Sequence, residues 1–313
     1  MVVSMPASDN LRLEAADIHS YIFDAELPRR RAGSWGDSAE KVLRYGSFVG
    51  SSLECHTRLG RAMEHARLHI DSEEKRGWSV QSGRVILAGT LTGSKGRFTR
   101  SWHAPEGGLW GCLLHGTTLT APSTLLLSLA LGVAACEAIR QMGVRDCAVR
   151  WVNDVLVKGE KVAGFLVESH TGPRWKEIFH LIGFGINVNN QVFPKELESW
   201  AASISQALGA SVNLPDFTLD FIAKLAWNIG LLYYIEARYP DWWEDPSEHC
   251  HPVLARWRKL SDTLGQRVVF GYDVIEKPQF SARVAGVSSE GGLRLVLDDG
   301  REITEYSGEI RYI

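Results

Sequence analysis

Several things are scarce in this sequence, and each absence narrows what the chain can be. It has no long hydrophobic run: the most apolar stretch, Leu125 to Ala135, is interrupted by Ser128 and Gly132 and is too short to cross a bilayer. It has no surplus of positive charge. The 34 Lys and Arg set against 37 Asp and Glu leave a net charge of −3, which gives no footing for general nucleic-acid binding. Cysteine is sparse and scattered, with Cys55, Cys112, Cys136, Cys147 and Cys250 forming no C-x-x-C pair. This pattern predicts buried thiols of a reducing compartment rather than a disulfide framework or zinc site. The start, MVVSMPASDNLRLEAAD, lacks a basic flank followed by an apolar core, so no secretory signal and a cytoplasmic location are expected. Neither G-x-x-x-x-G-K-[ST] nor G-x-G-x-x-G occurs, which removes the Walker and dinucleotide-binding loops. No Ser-His-Asp or Cys-His pattern stands out. His249-Cys250-His251 places its donors on one short loop with no second cluster, which argues against a metal centre.

What is present, 313 residues of which 45% are hydrophobic, reads as a globular chain of one large domain with smaller additions. Residues 1–40 read as an extension with a strand near Ser20–Phe23, and Pro28-Arg29-Arg30-Arg31 as a solvated basic loop. This segment is too short and irregular for a helix-turn-helix domain. Arg44–Val49 alternates like a strand. Ser51 with Glu54 makes a capping box that opens a helix running through about Arg67, with a charged loop over 71–82. Arg84–Thr90 and Gly108–His115 read as strands, and Pro122–Met142 as a long helix ended by Gly143. Strands over Ala148–Trp151 and Lys161–Glu168 flank a hairpin turn at Lys158-Gly159-Glu160, and a further strand covers Phe179–Val188. Helices follow over Leu219–Tyr239 and Val253–Leu260. From 263 the texture becomes short alternating runs between Gly291-Gly292 and Asp298-Asp299-Gly300, the pattern of a small β-barrel. The fold class expected is α/β (α+β), a mixed or antiparallel sheet with helices over 41–262, then the barrel over 263–313.

Chemistry concentrates in Gly89–Gly111. Lys95, Arg97 and Arg100 crowd between glycines and are followed at once by Trp102 and Pro105. Close cations on a glycine-rich loop repel one another unless an anion sits among them, and Arg suits phosphate and carboxylate. Asn153-Asp154 sits at a strand end, where α/β sheets commonly hold ligands. Gly183 and Gly185 within one strand indicate something packed directly on that backbone.

Taken together, Lys95-Gly96-Arg97-x-x-Arg100-x-Trp102-x-x-Pro105-x-Gly107, Arg150-Trp151-Val152-Asn153-Asp154, Lys161-Val162-Ala163-Gly164 with Glu168, and Gly183-x-Gly185-x-Asn187 resemble the biotin protein ligases. Ala202-Ser203-Ile204-Ser205 is similar to a later family segment, and the resemblance runs from about residue 45 to the end. It implies an SH3-like C-terminal barrel and a two-step reaction. Biotin and MgATP give biotinyl-5′-AMP, and a lysine of a biotin carboxyl carrier domain then takes the biotin. It implies Lys161, Arg97, Arg100 and Asp154 as catalytic residues, Asp154 by helping to deprotonate the incoming lysine. Ser51, Ser52, Lys95, Gly96, Arg97, Trp102, Lys161, Gly164, Gly183 and Gly185 would line the biotin and adenylate site. Arg100, Asn153, Asp154 and Asn187 would meet the nucleotide. ATP, Mg2+ and biotin are the implied small molecules, with no membrane or nucleic-acid partner, and a homodimer is compatible with the resemblance. The sequence departs from the family loop at Ser94 and Thr99, aligns Leu91 with a biotin-touching glutamine, and places Ser51-Ser52-Leu53 where the family has Ser-Thr-Asn. Those departures leave open a lipoate- or octanoate-type ligase, or a non-catalytic module that binds a small acid or nucleotide.

Overall fold

The computed structural model describes residues 13–242 and 251–313. Residues 1–12, on which the signal reading rests, and His249 and Cys250 of the dismissed metal loop lie outside the described residues.

The sheet that carries the site has seven strands: β1 Ser52–Leu59, β2 Arg84–Leu91, β3 Leu109–Gly116, β4 Cys147–Arg150, β5 Asp154–Val157, β6 Glu160–Thr171 and β7 Ile178–Ile186, in the order β1-β2-β3-β7-β6-β5-β4. Only β1 and β2 run parallel, because a helix, α4 Ala62–Arg76, crosses between them; all other neighbours are antiparallel. The β5–β6 connection is the tight turn expected, with positive φ at Lys158 and Gly159. One face of the sheet is covered by α4 through Ala62, Met63, Ala66 and Ile70. The other is covered by α6 Leu127–Gln141 and α8 Leu214–Arg238, which are apolar nearly all round and therefore buried. Short helices α5 Ala121–Leu125, α7 Ile204–Leu208 and α9 Pro252–Leu260 complete this unit. A second, antiparallel sheet follows: β8 Arg267–Gly271, β9 Phe280–Val287, β10 Leu293–Leu297, β11 Glu302–Glu305 and β12 Glu309–Tyr312, ordered β11-β10-β9-β8-β12. It is tied to the first by the Trp151 indole, which donates to the Gly291 carbonyl at 3.0 Å. Among the described residues no helix is long and apolar enough to cross a membrane.

The amino-terminal third differs from the sequence reading. Ser20–Phe23 is helical, part of α1 Ala15–Tyr21 and a π-helical turn Ile22–Glu26, followed by α2 Leu27–Arg30. Ile18, Ile22 and Leu27 are buried, and that apolar stripe holds the segment helical. The arginine run is not a solvated loop. Arg30 pairs with Glu26 at 2.7 Å and Glu137 at 2.6 Å, and Arg29 with Glu26 and Asp220. Arg44–Val49 is likewise no strand; Ser38–Gly46 forms α3, packed on α8. The capping-box signal at Ser51 is overridden, since Ser52–Leu59 pairs with β2 instead of forming a helix. The helix begins only at Ala62 and runs through the expected loop to Arg76, where Gly77 in the left-handed region stops it. The segment after Asp154 is also a strand, β5.

Candidate functional site

A cavity of about 350 Å³ opens where β6 and β7, the β4–β5 connection, the loop after β2, the start of α4 and the edge strand β12 converge. Lys95, Gly96, Arg97, Arg100, Trp102, Asn153, Asp154, Lys161, Gly164, Gly183, Gly185 and Asn187 all line it. Ser51 and Ser52 do not. Ser51 is exposed, with its hydroxyl directed at the Ser82 carbonyl, and Ser52 opens β1 opposite Arg84.

Lys161 is fixed by an ion pair inside the cavity. Its Nζ lies 2.6 Å from Asp154 Oδ1, while Arg150 Nη2 lies 2.7 Å from Asp154 Oδ2. Burial by itself raises the Asp154 carboxyl, but Lys161 and Arg150 outweigh it and hold it at about 2. A carboxylate held that low is a poor proton acceptor near neutral pH, and both of its oxygens are occupied by the two cations. Lys161 Nζ also sits 5.2 Å from the centre of the Trp102 ring, a cation–π distance. Asn153 faces inward from the turn, but its amide donates to the Phe165 carbonyl at 2.5 Å. The Asn187 amide donates to Ala202 O at 3.0 Å, and its carbonyl accepts from Asn190. Both asparagines therefore brace the wall.

The glycines of β7 do carry groups packed directly on their backbone, as their pattern suggests. Gly164 and Gly185 are opposed across β6 and β7, and Trp102 lies over the pair. A methyl group at Gly185 would fall 2.7 Å from the Trp102 indole nitrogen. One at Gly183 would fall 2.5 Å from Met63 Sδ. What packs on that backbone is protein side chain, and the ligand space lies beyond it.

Arg97 and Arg100 turn toward the second sheet. Arg97 Nη1 donates to the Gly308 carbonyl at 2.7 Å, and Arg100 pairs with Glu309 at 2.8 Å and Asp273 at 3.1 Å. Lys95 is exposed on the same loop. The described carboxylates around the cavity are Asp154, Glu196 and Glu309. Lys161 and Arg150 hold Asp154, and Arg100 holds Glu309, so these residues do not form a seat for resident magnesium.

Sequence reasoning missed Arg61 and Met63, which line the cavity from the N-cap and first turn of α4. Arg61 Nη2 is paired with Glu168, and its Nε is buried without a hydrogen-bond partner. The signal was available in the start of the helix, had the preceding segment been read as strand.

The sequence pattern of the biotin/lipoate A/B protein ligase family matches residues 63–189. The chain is 35% identical over 288 residues to the bifunctional ligase/repressor BirA of Bacillus spizizenii, covering 85% of this chain and 82% of that protein. It is 32% identical over 192 residues to the biotin–[acetyl-CoA-carboxylase] ligase of Paracoccus denitrificans, covering 58% and 65%. Among solved structures, the biotin protein ligase of Aquifex aeolicus in complex with biotin and ATP is similar in fold. Its TM-score is 0.64 at 21% identity, over 83% of this chain and 99% of that one.

Proposed function

The chain belongs to the biotin protein ligase family, and we infer that it is an ATP-dependent ligase that joins biotin to AMP and passes it to a protein lysine. In the first step a biotin carboxylate oxygen attacks the α-phosphorus of ATP, the bond to the β-phosphate breaks, and pyrophosphate leaves. In the second, the neutral amine of a lysine on a biotin carboxyl carrier domain attacks the acyl carbon, AMP leaves with the bonding electrons, and the nitrogen's surplus proton passes to solvent.

The observation that carries this reading is the Lys161–Asp154 pair at 2.6 Å inside a cavity walled by Trp102. Two anionic reactants must be brought together, so a fixed cation that needs no reorganisation lowers the barrier. Lys161 is assigned to the carboxylate and the developing acyl phosphate, with Asp154 and Arg150 fixing its position. Arg97, Arg100 and Lys95, on the loop that bounds the cavity, are assigned to the nucleotide phosphates. Trp102 supplies an apolar wall. We assign the ligase unit to 41–262 and a supporting unit to 263–313, whose Glu309 and Gly308 hold that loop. ATP use and the free thiols of Cys55, Cys112, Cys136 and Cys147 fit a cytoplasmic setting.

A second acid deserves a parallel assay because Leu91 and Met63 give the cavity an apolar end. The chain is incubated with ATP, a carrier domain and labelled biotin, lipoate or octanoate in turn. Label on the carrier lysine from biotin supports the reading. Label from lipoate or octanoate alone transfers the assignment to that acid, and no adenylate with any acid overturns the enzyme reading.

A further inference from the structure

We propose that Glu54, His56 and His65 form a binding site for a divalent transition-metal ion of the zinc class, on the edge of the central sheet and apart from the ligand cavity. The three residues come from two elements. Alternation along β1 puts Glu54 and His56 on the same face of the edge strand, and His65 joins them from α4. His56 Nε2 lies 2.7 Å and His65 Nε2 2.8 Å from the same oxygen, Glu54 Oε1. The ring centres are 4.7 Å apart, and the three donor atoms lie within 4.8 Å of one another.

Two imidazole nitrogens and a carboxylate oxygen converging on one point make a donor set suited to zinc, copper, nickel or cobalt rather than magnesium or calcium. A zinc ion takes such ligands at about 2.0–2.2 Å, so shifts of a few tenths of an ångström would convert these contacts into ligation. The other oxygen of Glu54 faces Arg84 Nη1 at 3.3 Å, which holds the carboxylate with Oε1 toward the histidines. Arg84 also sets a limit, since its charge opposes the ion. The side chains are 27–33% exposed, which leaves a path in and room for a water ligand.

An ion here would fasten α4 to β1. The N-terminal end of that helix carries Arg61 and Met63 into the cavity, so metal occupancy would stiffen one wall of the ligand site without touching the ligand.

The test uses the full chain, stripped with a chelator and titrated with ZnCl2 against a chromophoric competitor, with Co2+ absorption as a second readout. The expected result is one ion per chain and a raised Tm. His56→Gln/His65→Gln should weaken Zn2+ binding by at least about 100-fold, and Cys55→Ser should leave it unchanged. Glu54→Gln and single His65→Gln provide the same readout should the double variant fold poorly. Stoichiometric binding that survives loss of both histidines, binding lost with Cys55→Ser, or no binding by the parent chain tighter than about 0.1 mM would each overturn the proposal.

Discussion

Arg100 and Glu309, 209 residues apart in the chain, meet at 2.8 Å, and the neighbouring Arg97 donates to the Gly308 carbonyl at 2.7 Å. The loop that carries three of the proposed phosphate-binding cations is thereby fastened to the last strand. Arg100 is 40% exposed, so the pair contributes little to global stability, about 0.2–1 kcal/mol. Its effect is local. Glu309→Gln should leave the unfolding midpoint nearly unchanged while trypsin cuts the loop at Lys95, Arg97 and Arg100 several-fold faster. Unchanged digestion kinetics would mean that the contact does not hold the loop.

Among the described residues Asp154 is ion-paired with Lys161 and with Arg150, and Arg150 is bound to the other oxygen. Lys161→Ala should therefore cut adenylate formation by roughly 10²–10³-fold, the usual loss for one fixed transition-state charge. Pyrophosphate release measured on folded variant protein checks this, and near-normal turnover refutes the assigned role.

Gly185→Ala forces a methyl group to within 2.7 Å of the Trp102 indole nitrogen. Overpacking of this kind costs about 1–3 kcal/mol, and it displaces the ring that walls the cavity. Denaturant unfolding should show the loss of stability. Replacing Trp102 by Leu in the same chain should recover part of it, because the two substitutions act on one contact.

Arg30 lies between Glu26 and Glu137, whose side chains are 0% and 6% exposed. Arg30→Ala leaves two buried carboxylates short of charge, although Arg29, Lys224 and Arg256 remain. We expect a loss of about 3–5 kcal/mol, read as a lower urea midpoint at an unchanged slope. A midpoint within error of the parent would show that the cluster reorganises without cost.

His115 is a buried histidine whose Nε2 meets the Tyr233 hydroxyl at 2.8 Å. Burial, with His180 adding to it, pushes its pKa from 6.5 down to about 3. The unfolded chain therefore binds a proton here that the native chain does not, and stability must fall as pH drops from about 6.5 toward 3. His115→Gln should flatten the pH dependence of unfolding in that window. An equal slope in both proteins would exclude His115 as its source.

Much of the fold was legible in local pattern. α6 and α8 are long apolar stretches, β2, β3 and β7 are hydrophobic strands between turns, and the Lys158-Gly159 turn announces its hairpin. The misread elements share a cause. Ser52–Leu59 carries a helix-opening signal that pairing with β2 overrides, and Ser20–Arg31 is helical because it packs on α8. In the site, the cations of the loop after β2, Trp102, Asp154 and the glycines of β7 could be picked out from residue type and position, and Lys161 only through the family resemblance, whereas Arg61 and Met63 could not be placed until β1 was known to be a strand.

Residue type and local spacing name most of the chemical groups the site contains, because cations, glycines and turn residues declare themselves within a few positions. What each group meets depends on how distant segments fold together. That Gly185 makes room for Trp102, that Arg100 reaches Glu309, and that Arg30 neutralises Glu137 are contacts between segments that lie 83 to 209 residues apart. Burial and ion pairing act across space, and no local periodicity encodes the partner.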